Sequence, residues 1–330
     1  MVSPDYTDYD ELVALFDGLS KSRDHDTSYS DIAVTRDGLK PAEYWKKYLI
    51  RQDNRYKQFY NLAVQMEQEE KALAPAEFAL RERKHITAMA GWMNMQQITE
   101  EMIFALYSYG AGISIVEGKF RSWLVFFYKR ESYTYSDILL LFSWLVLFDC
   151  GKETLEKALS LWESLGFDNE SYLYCKPGAQ GMQDTQGTED APDARDTPDA
   201  ARGKAGSNDR LLAFLSNYMK QKATGSLGAS DVSGIPVLFE SGHGDLSRIL
   251  LLKNKDEQVK AFAGFMRNRW YDSNKVEGWY DTHKNKFDIY VGYWAFECAA
   301  VAKALGFQAD DVSGLPYFPM ELFSYSSVGQ

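Results

Sequence analysis

The stretch PAEYWKKYLIRQDNRYKQFYNLAVQM, residues 41–66, decides the fold class. Trp45, Leu49, Tyr56, Phe59, Ala63 and Met66 recur at steps of three, four or seven, which places them on one face of a long amphipathic helix. Pro41 fits its first turn, where the missing N–H has no helical partner to lose.

Downstream segments repeat this period. A second helix is expected from about Glu77, just after Pro75, to Tyr109, with Ile86, Met89, Met93, Met102 and Leu106 as its apolar side and Gly110 and Gly112 as its stop. Residues 114–129 read as a third helix, although their β-branched and aromatic content also suits a strand. The run ILLLFSWLVLF, 138–148, is apolar except for one serine and has 11 residues, where a bilayer span needs about 20. It reads as a buried core helix, with Thr134 and Asp137 spaced as a capping box. KETLEKALSLWESLGF ends a fifth helix at Gly166, and RLLAFLSNYMKQKA forms another. Residues 247–273 suggest two more, and a last long helix is expected over 283–305, stopped by Gly306. No segment from residue 40 onward alternates as hairpin strands do, so the chain is expected to be all-α.

At 330 residues, two domains are the default. The composition falls away over 177–209, which has no aromatic residue and repeats Pro, Gly, Asp and Thr; such a segment cannot bury enough surface to offset chain ordering. The expected layout is an acidic N-terminal arm (1–40, with one short helix at 10–19), an N-terminal helical domain (41–175), a disordered acidic linker (176–209) and a C-terminal helical domain (210–330). The echo between LSLWESLGFDNESYLYCKP and AVAKALGFQADDVSGLPYFP fits either a duplication or the common use of Gly as a helix stop.

The net charge of −11 disfavours direct contact with nucleic acid or anionic lipid, and favours a basic partner. Three scattered cysteines without a CxxC fit a reduced, cytoplasmic setting, and the acidic start lacks the pattern of a signal peptide. No metal or cofactor is expected. His25, His85, His243 and His283 form no helical metal pair, and neither Gly-rich phosphate loop nor G-x-S-x-G elbow occurs. His25-Asp26 reads as a solvated loop, Asp245 as a helix N-cap, and Cys298 as a buried inert thiol. Glu69-Glu70 and Glu100-Glu101 read as solvated helix faces, since adjacent helical residues point in different directions.

Glu297 is one of two charges, with Lys303, in the apolar run 290–305. A bare carboxylate there is costly, so it must be paired or protonated. Arg267, Arg269, His283 and Lys284 are its candidate partners. A structural buried charge is favoured over a general acid because no second catalytic group is in view.

The run GWYDTHKNKFDIYVGYWAFECAAVAKALGF, followed by LPYFPMEL, resembles the second domain of the PoNi family, bacterial immunity proteins paired with polymorphic nuclease toxins. Trp279, Tyr280, Asp281, Tyr293, Trp294, Glu297, Ala299, Ala300 and the Tyr317-x-Pro319 tail carry the resemblance, and the segment from Tyr44 to about Leu165 is similar to the family's first domain. The resemblance implies a two-part helical protein, without catalysis, that binds a secreted DNase in the cytoplasm and blocks it; such toxins are commonly deployed by type VI and related secretion systems. A helical scaffold or adaptor and an uncharacterised helical hydrolase are the alternatives. Asp281, Asp288, Asp310 and Asp311, acids near the matched motif, are the candidate partner-binding residues.

Overall fold

The structure is a computed structural model that describes residues 35–74, 76–168, 173–176, 203–204, 209–225, 231–238 and 240–326. The expected helix at 10–19, the His25-Asp26 pair and most of the 176–209 linker lie outside the described residues. The described residues are mostly helical, in two compact units: Met1–Lys129 with His283–Gly292, and Arg130–Thr282 with Tyr293–Gln330.

The first unit is built on α1 (Ala42–Ala72) and α2 (Phe78–Tyr109), paired along their length, with α3 (Ile113–Lys129) against α2. The residues at 114–129 are therefore a helix; Val116, Phe120, Trp123 and Phe127 are buried at helical spacing. Gly91 sets the approach of α1 and α2, since a Cβ there would stand 2.9 Å from the Cβ of Ala63. Gly110 closes α2 at φ 100°, as expected of a left-handed stop.

The acidic pairs on these helices are not solvated faces. Glu101 accepts from Tyr48 Oη at 2.9 Å and Gln52 Nε2 at 2.6 Å on α1, while Glu100 accepts from Trp123 Nε1 at 3.2 Å on α3. Glu69 pairs with Lys84, and Glu70 lies 3.4 Å from His85 Nδ1, across the α1–α2 hairpin. Adjacent acids do point apart, but each direction meets a neighbouring helix.

The expected apolar side of α2 divides. Met102 and Leu106 are buried, whereas Ile86, Met89 and Met93 are exposed, because the two sets lie on opposite sides of the helix.

The second unit centres on α4 (Tyr135–Leu147), whose N-terminus carries the expected Thr134/Asp137 capping box, with Arg130 donating twice to Asp137 at 2.8 Å. Around it lie α5 (Lys152–Ser164), α6 (Arg210–Thr224), α7 (Glu240–Ile249), α8 (Lys255–Asn268), α9 (Trp270–Ser273), α10 (Phe296–Ala304), α11 (Ala309–Val312) and α12 (Met320–Phe323). Buried Asp209 caps α6: its Oδ1 accepts from the Leu211 and Leu212 amides at 2.9 and 3.1 Å and from Tyr135 Oη at 3.1 Å. Asp245 is inside α7 rather than at its N-cap, and pairs with Arg248 and Arg269.

Helices α4 and α5 pack on α6, and α4 also packs on α10. By packing, the units divide at 129/130, with His283–Gly292 belonging to the first. Four short strands add a small antiparallel sheet to this mostly helical unit: β1 (Ser132–Tyr133), β2 (Gly166–Asp168), β3 (Leu173–Cys175) and β4 (Gly203–Lys204), in the order β1-β3-β2-β4. Phe167 opposes Tyr174 with ring centroids 4.8 Å apart.

One expectation is corrected outright. The helix predicted over 283–305 forms only at Phe296–Ala304, after a 3₁₀ turn at Thr282–Lys284 and an irregular run. Gly292 is left-handed at φ 105°, and the backbone before it is used by the first unit. Tyr44 Oη donates to the Tyr290 carbonyl at 2.7 Å, and Ser108 Oγ to the Val291 carbonyl at 3.0 Å. Tyr290 packs on Trp45 and donates its hydroxyl to Asp37. Apolar residues on every side signalled burial, but burial of a strap and not of a helix.

Candidate protein-binding surface

Within the second unit, α9, the turn after it, the run before α10 and the tail before α12 gather aromatic rings. Trp270 and Trp279 stack at 5.7 Å and 22°, Tyr271 and Tyr317 at 5.2 Å and 17°, and Tyr271 and Tyr280 lie 4.5 Å apart. Trp270 and Tyr293 are 3% exposed and form the floor; Tyr271, Trp279, Tyr280 and Tyr317 are partly exposed above it.

Glu297 anchors the floor. Its Oε1 accepts from Trp270 Nε1 at 2.6 Å and from Cys298 Sγ at 3.4 Å. The expected cationic partners are replaced by an indole, because the chain before α10 is not helical and leads elsewhere. Cys298 is fully buried, and burial and Glu297 push its thiol well up, as expected of an inert side chain.

Asp281 sits at the centre of the turn with φ 58°, a left-handed conformation that Asp adopts more readily than bulkier residues. Its Oδ1 accepts from Tyr271 Oη at 2.9 Å, and its amide donates to the same oxygen at 3.3 Å. Tyr280 Oη in turn donates to Asp272 Oδ1 at 3.2 Å. Burial first, then these carboxylates, raises the pKa of both hydroxyls, so they remain donors at neutral pH. Tyr317 is likewise left-handed, at φ 60°, and its carbonyl accepts the Ala295 amide at 2.9 Å. Exposed Asp272 and Glu277 rim the patch, with Lys275 3.3 Å from Asp272. The arrangement offers large, fixed amphipathic rings inside an acidic rim, a composition that suits a protein partner.

Of the four acids singled out in the sequence, Asp281 alone lies in this patch. Asp288 is in the first unit, exposed and 3.7 Å from Arg51. Asp310 is exposed on α11, and Asp311 accepts the Gln308 amide at 2.7 Å as part of that helix's capping box. Tyr271 and Asp272 were not singled out, yet the sequence carries their signal: Trp-Tyr-Asp occurs at 270–272 and again at 279–281. The two copies pair ring to ring and hydroxyl to carboxylate.

Charge is distributed differently from the expectation of an acidic folded surface. The described residues hold 32 acids and 32 bases, so the net −11 lies in the remainder, chiefly in 1–34 with eight acids and two bases and in 177–202 with six and two. Among the described residues, no group of three or more His, Cys, Asp or Glu is placed to hold a metal, and no helix is long and apolar enough to cross a membrane.

Residues 36–160 match the family model described as PoNe immunity protein (PoNi), N-terminal, and residues 207–322 match that described as PoNe immunity proteins (PoNi), C-terminal. The C-terminal match contains every aromatic residue of the patch. No curated protein and no solved structure matches the chain. With both halves of the family present in order over most of its length, the chain belongs to the PoNe immunity proteins.

Proposed function

We propose that this protein binds a cognate PoNe-type nuclease toxin in the cytoplasm and neutralises it by covering its DNA-binding or active-site cleft, with no bond made or broken by its own side chains. Family membership across both halves carries the reading. The aromatic patch around Asp281 is the proposed anchor: Tyr and Trp dominate the energetics of protein interfaces, and here their rotamers are held by stacking and by Tyr–Asp bonds. A DNase needs a basic groove for phosphates, to which an acidic chain is complementary.

Delivery of the toxin by type VI secretion is part of the same proposal and rests on the resemblance. The test is co-expression with the toxin encoded beside this gene. Survival of the host and co-purification at fixed stoichiometry are expected. Death of the host despite soluble immunity protein would reject the pairing.

A further inference from the structure

Tyr280 ends the row of rings in the aromatic patch. Tyr271 is shared between Tyr317, at 5.2 Å, and Tyr280, at 4.5 Å. Tyr280 meets no second ring and carries no cation over its face among the described residues, and it is partly exposed. Part of its π surface is therefore open to a partner.

Acids border this ring. Tyr280 Oη donates to Asp272 Oδ1 at 3.2 Å, and Asp272 Oδ2 has no partner among the described residues. The carbonyl of exposed Glu277 accepts the Tyr280 amide at 3.0 Å, while its carboxylate has no hydrogen bond or ion pair among the described residues. The turn that carries these groups is itself fixed: buried Asn274 donates from Nδ2 to the Trp270 carbonyl at 2.7 Å, and its own carbonyl accepts the Glu277 amide at 3.0 Å.

Residues 270–282 hold three acids, Asp272, Glu277 and Asp281, and one base, Lys275. Lys275 Nζ lies 3.3 Å from Asp272 Oδ1, with the two side chains 61 and 62% exposed. An exposed pair of this kind contributes little, so a better-placed cation can displace it.

These groups discriminate between ligands. An apolar side chain on Tyr280 would desolvate Asp272 and Glu277 without pairing them, which is costly. A cation gains from both the ring quadrupole and the carboxylates. A guanidinium is planar and weakly hydrated, so it stacks on the ring while its N–H fork turns to a carboxylate; an ammonium ion has no such plane or fork.

We infer that the open face of Tyr280, bordered by Asp272 and Glu277, receives an arginine side chain of the protein partner. The inference rests on the reading of this patch as the toxin anchor, and it names the group that the anchor grips.

Calorimetry with the catalytically inactive toxin tests it. The full-length chain is compared with Tyr280→Phe, with Tyr280→Leu and with Asp272→Asn combined with Glu277→Gln. Tyr280→Phe keeps the π face and is expected to retain most of the affinity. Tyr280→Leu keeps apolar area without a π face, and is expected to lose about tenfold or more, as is the neutralised pair. Equal affinity of the Phe and Leu variants, or full affinity in the neutralised pair, would overturn the inference and leave the immunity reading standing, whereas a wild type that does not bind the toxin would reject both. Toxin arginines replaced singly by methionine identify the ligand: one of these changes is expected to abolish the difference between the Phe and Leu variants. If none does, the group on Tyr280 is not an arginine and the inference falls.

Discussion

The rings of Tyr271 and Tyr280 meet with centroids 4.5 Å apart and planes tilted by 32°, and each hydroxyl reaches the aspartate of the other's triplet, Tyr271 to Asp281 and Tyr280 to Asp272. The repeated Trp-Tyr-Asp triplet thus folds onto itself. Reciprocal pairing fixes six side chains with two hydrogen bonds and two ring contacts, Trp270 with Trp279 and Tyr271 with Tyr280, which lowers the ordering cost of binding through them.

Tyr280 separates binding from folding. It is partly exposed, and its hydroxyl meets only the surface carboxylate of Asp272 in the described structure. Tyr280→Ala is expected to leave the melting temperature nearly unchanged and to weaken toxin affinity by tenfold or more, about 1.4 kcal/mol or above. Calorimetry with a catalytically inactive toxin measures it. Unchanged affinity would remove the patch from the interface.

At Glu297 the question is whether a charge or an acceptor is needed. Its partners are the Trp270 indole and the Cys298 thiol, both neutral donors. Glu297→Gln keeps an acceptor oxygen and is expected to cost less than about 1 kcal/mol, whereas Glu297→Leu strands the buried Trp270 N–H and is expected to cost about 1–3 kcal/mol. Urea unfolding of the two variants decides. A cost of about 3–5 kcal/mol for the glutamine would instead indicate a buried ion pair.

The contact of Gly91 with Ala63 predicts a graded response. Gly91→Ala puts two methyl groups 2.9 Å apart and requires a small separation of α1 and α2, while Gly91→Leu cannot be accommodated without moving a helix. Overpacking of this kind costs about 1–3 kcal/mol. Thermal melts should rank glycine, alanine, leucine in falling order. Ala63→Gly, by making room, should restore part of the loss in Gly91→Ala.

Helix positions were legible in the sequence because period, caps and stops agreed, as at Thr134–Asp137 and Gly110. What failed were inferences that needed a partner. Residues 290–295 have the apolar character of a buried helix, but the carbonyls of Tyr290 and Val291 bond Tyr44 and Ser108, more than 180 residues earlier in the chain. Ile86 and Met102 were grouped by hydrophobicity although the helix turns them apart. For the candidate site, the C-terminal motif was visible, but the pairing of its two triplets was not, since the stacking depends on the left-handed backbone at Asp281.

Lys303 gives the fold a pH dependence. Burial, with a smaller contribution from nearby Lys222, lowers its pKa from 10.5 to about 8, and its Nζ donates to the carbonyls of Leu147 and Tyr325. Between the two values the unfolded chain holds a proton that the folded chain does not, so stability rises with pH. The rise is expected to be on the order of 1 kcal/mol from pH 8 to 9, and absent in Lys303→Met. Cys298 opposes it at higher pH, since its raised thiol pKa makes stability fall once the unfolded thiol ionises near pH 9. The difference between wild type and variant, followed by urea unfolding, isolates the lysine.

The charge distribution bears on how a toxin would be met. Because the described residues are balanced and residues 1–34 hold eight acids against two bases, long-range attraction is expected to come chiefly from that arm. Neutralising Asp5, Asp8, Asp10 and Asp17 to Asn should slow association with a basic toxin severalfold at low salt, with the difference fading as ionic strength rises. Reversing Asp310 and Asp311 should have less effect, because Asp311 caps its own helix and neither lies in the aromatic patch. Stopped-flow association at two salt concentrations checks both. A larger effect from Asp310 and Asp311 than from the arm would place the steering charge on the folded unit instead.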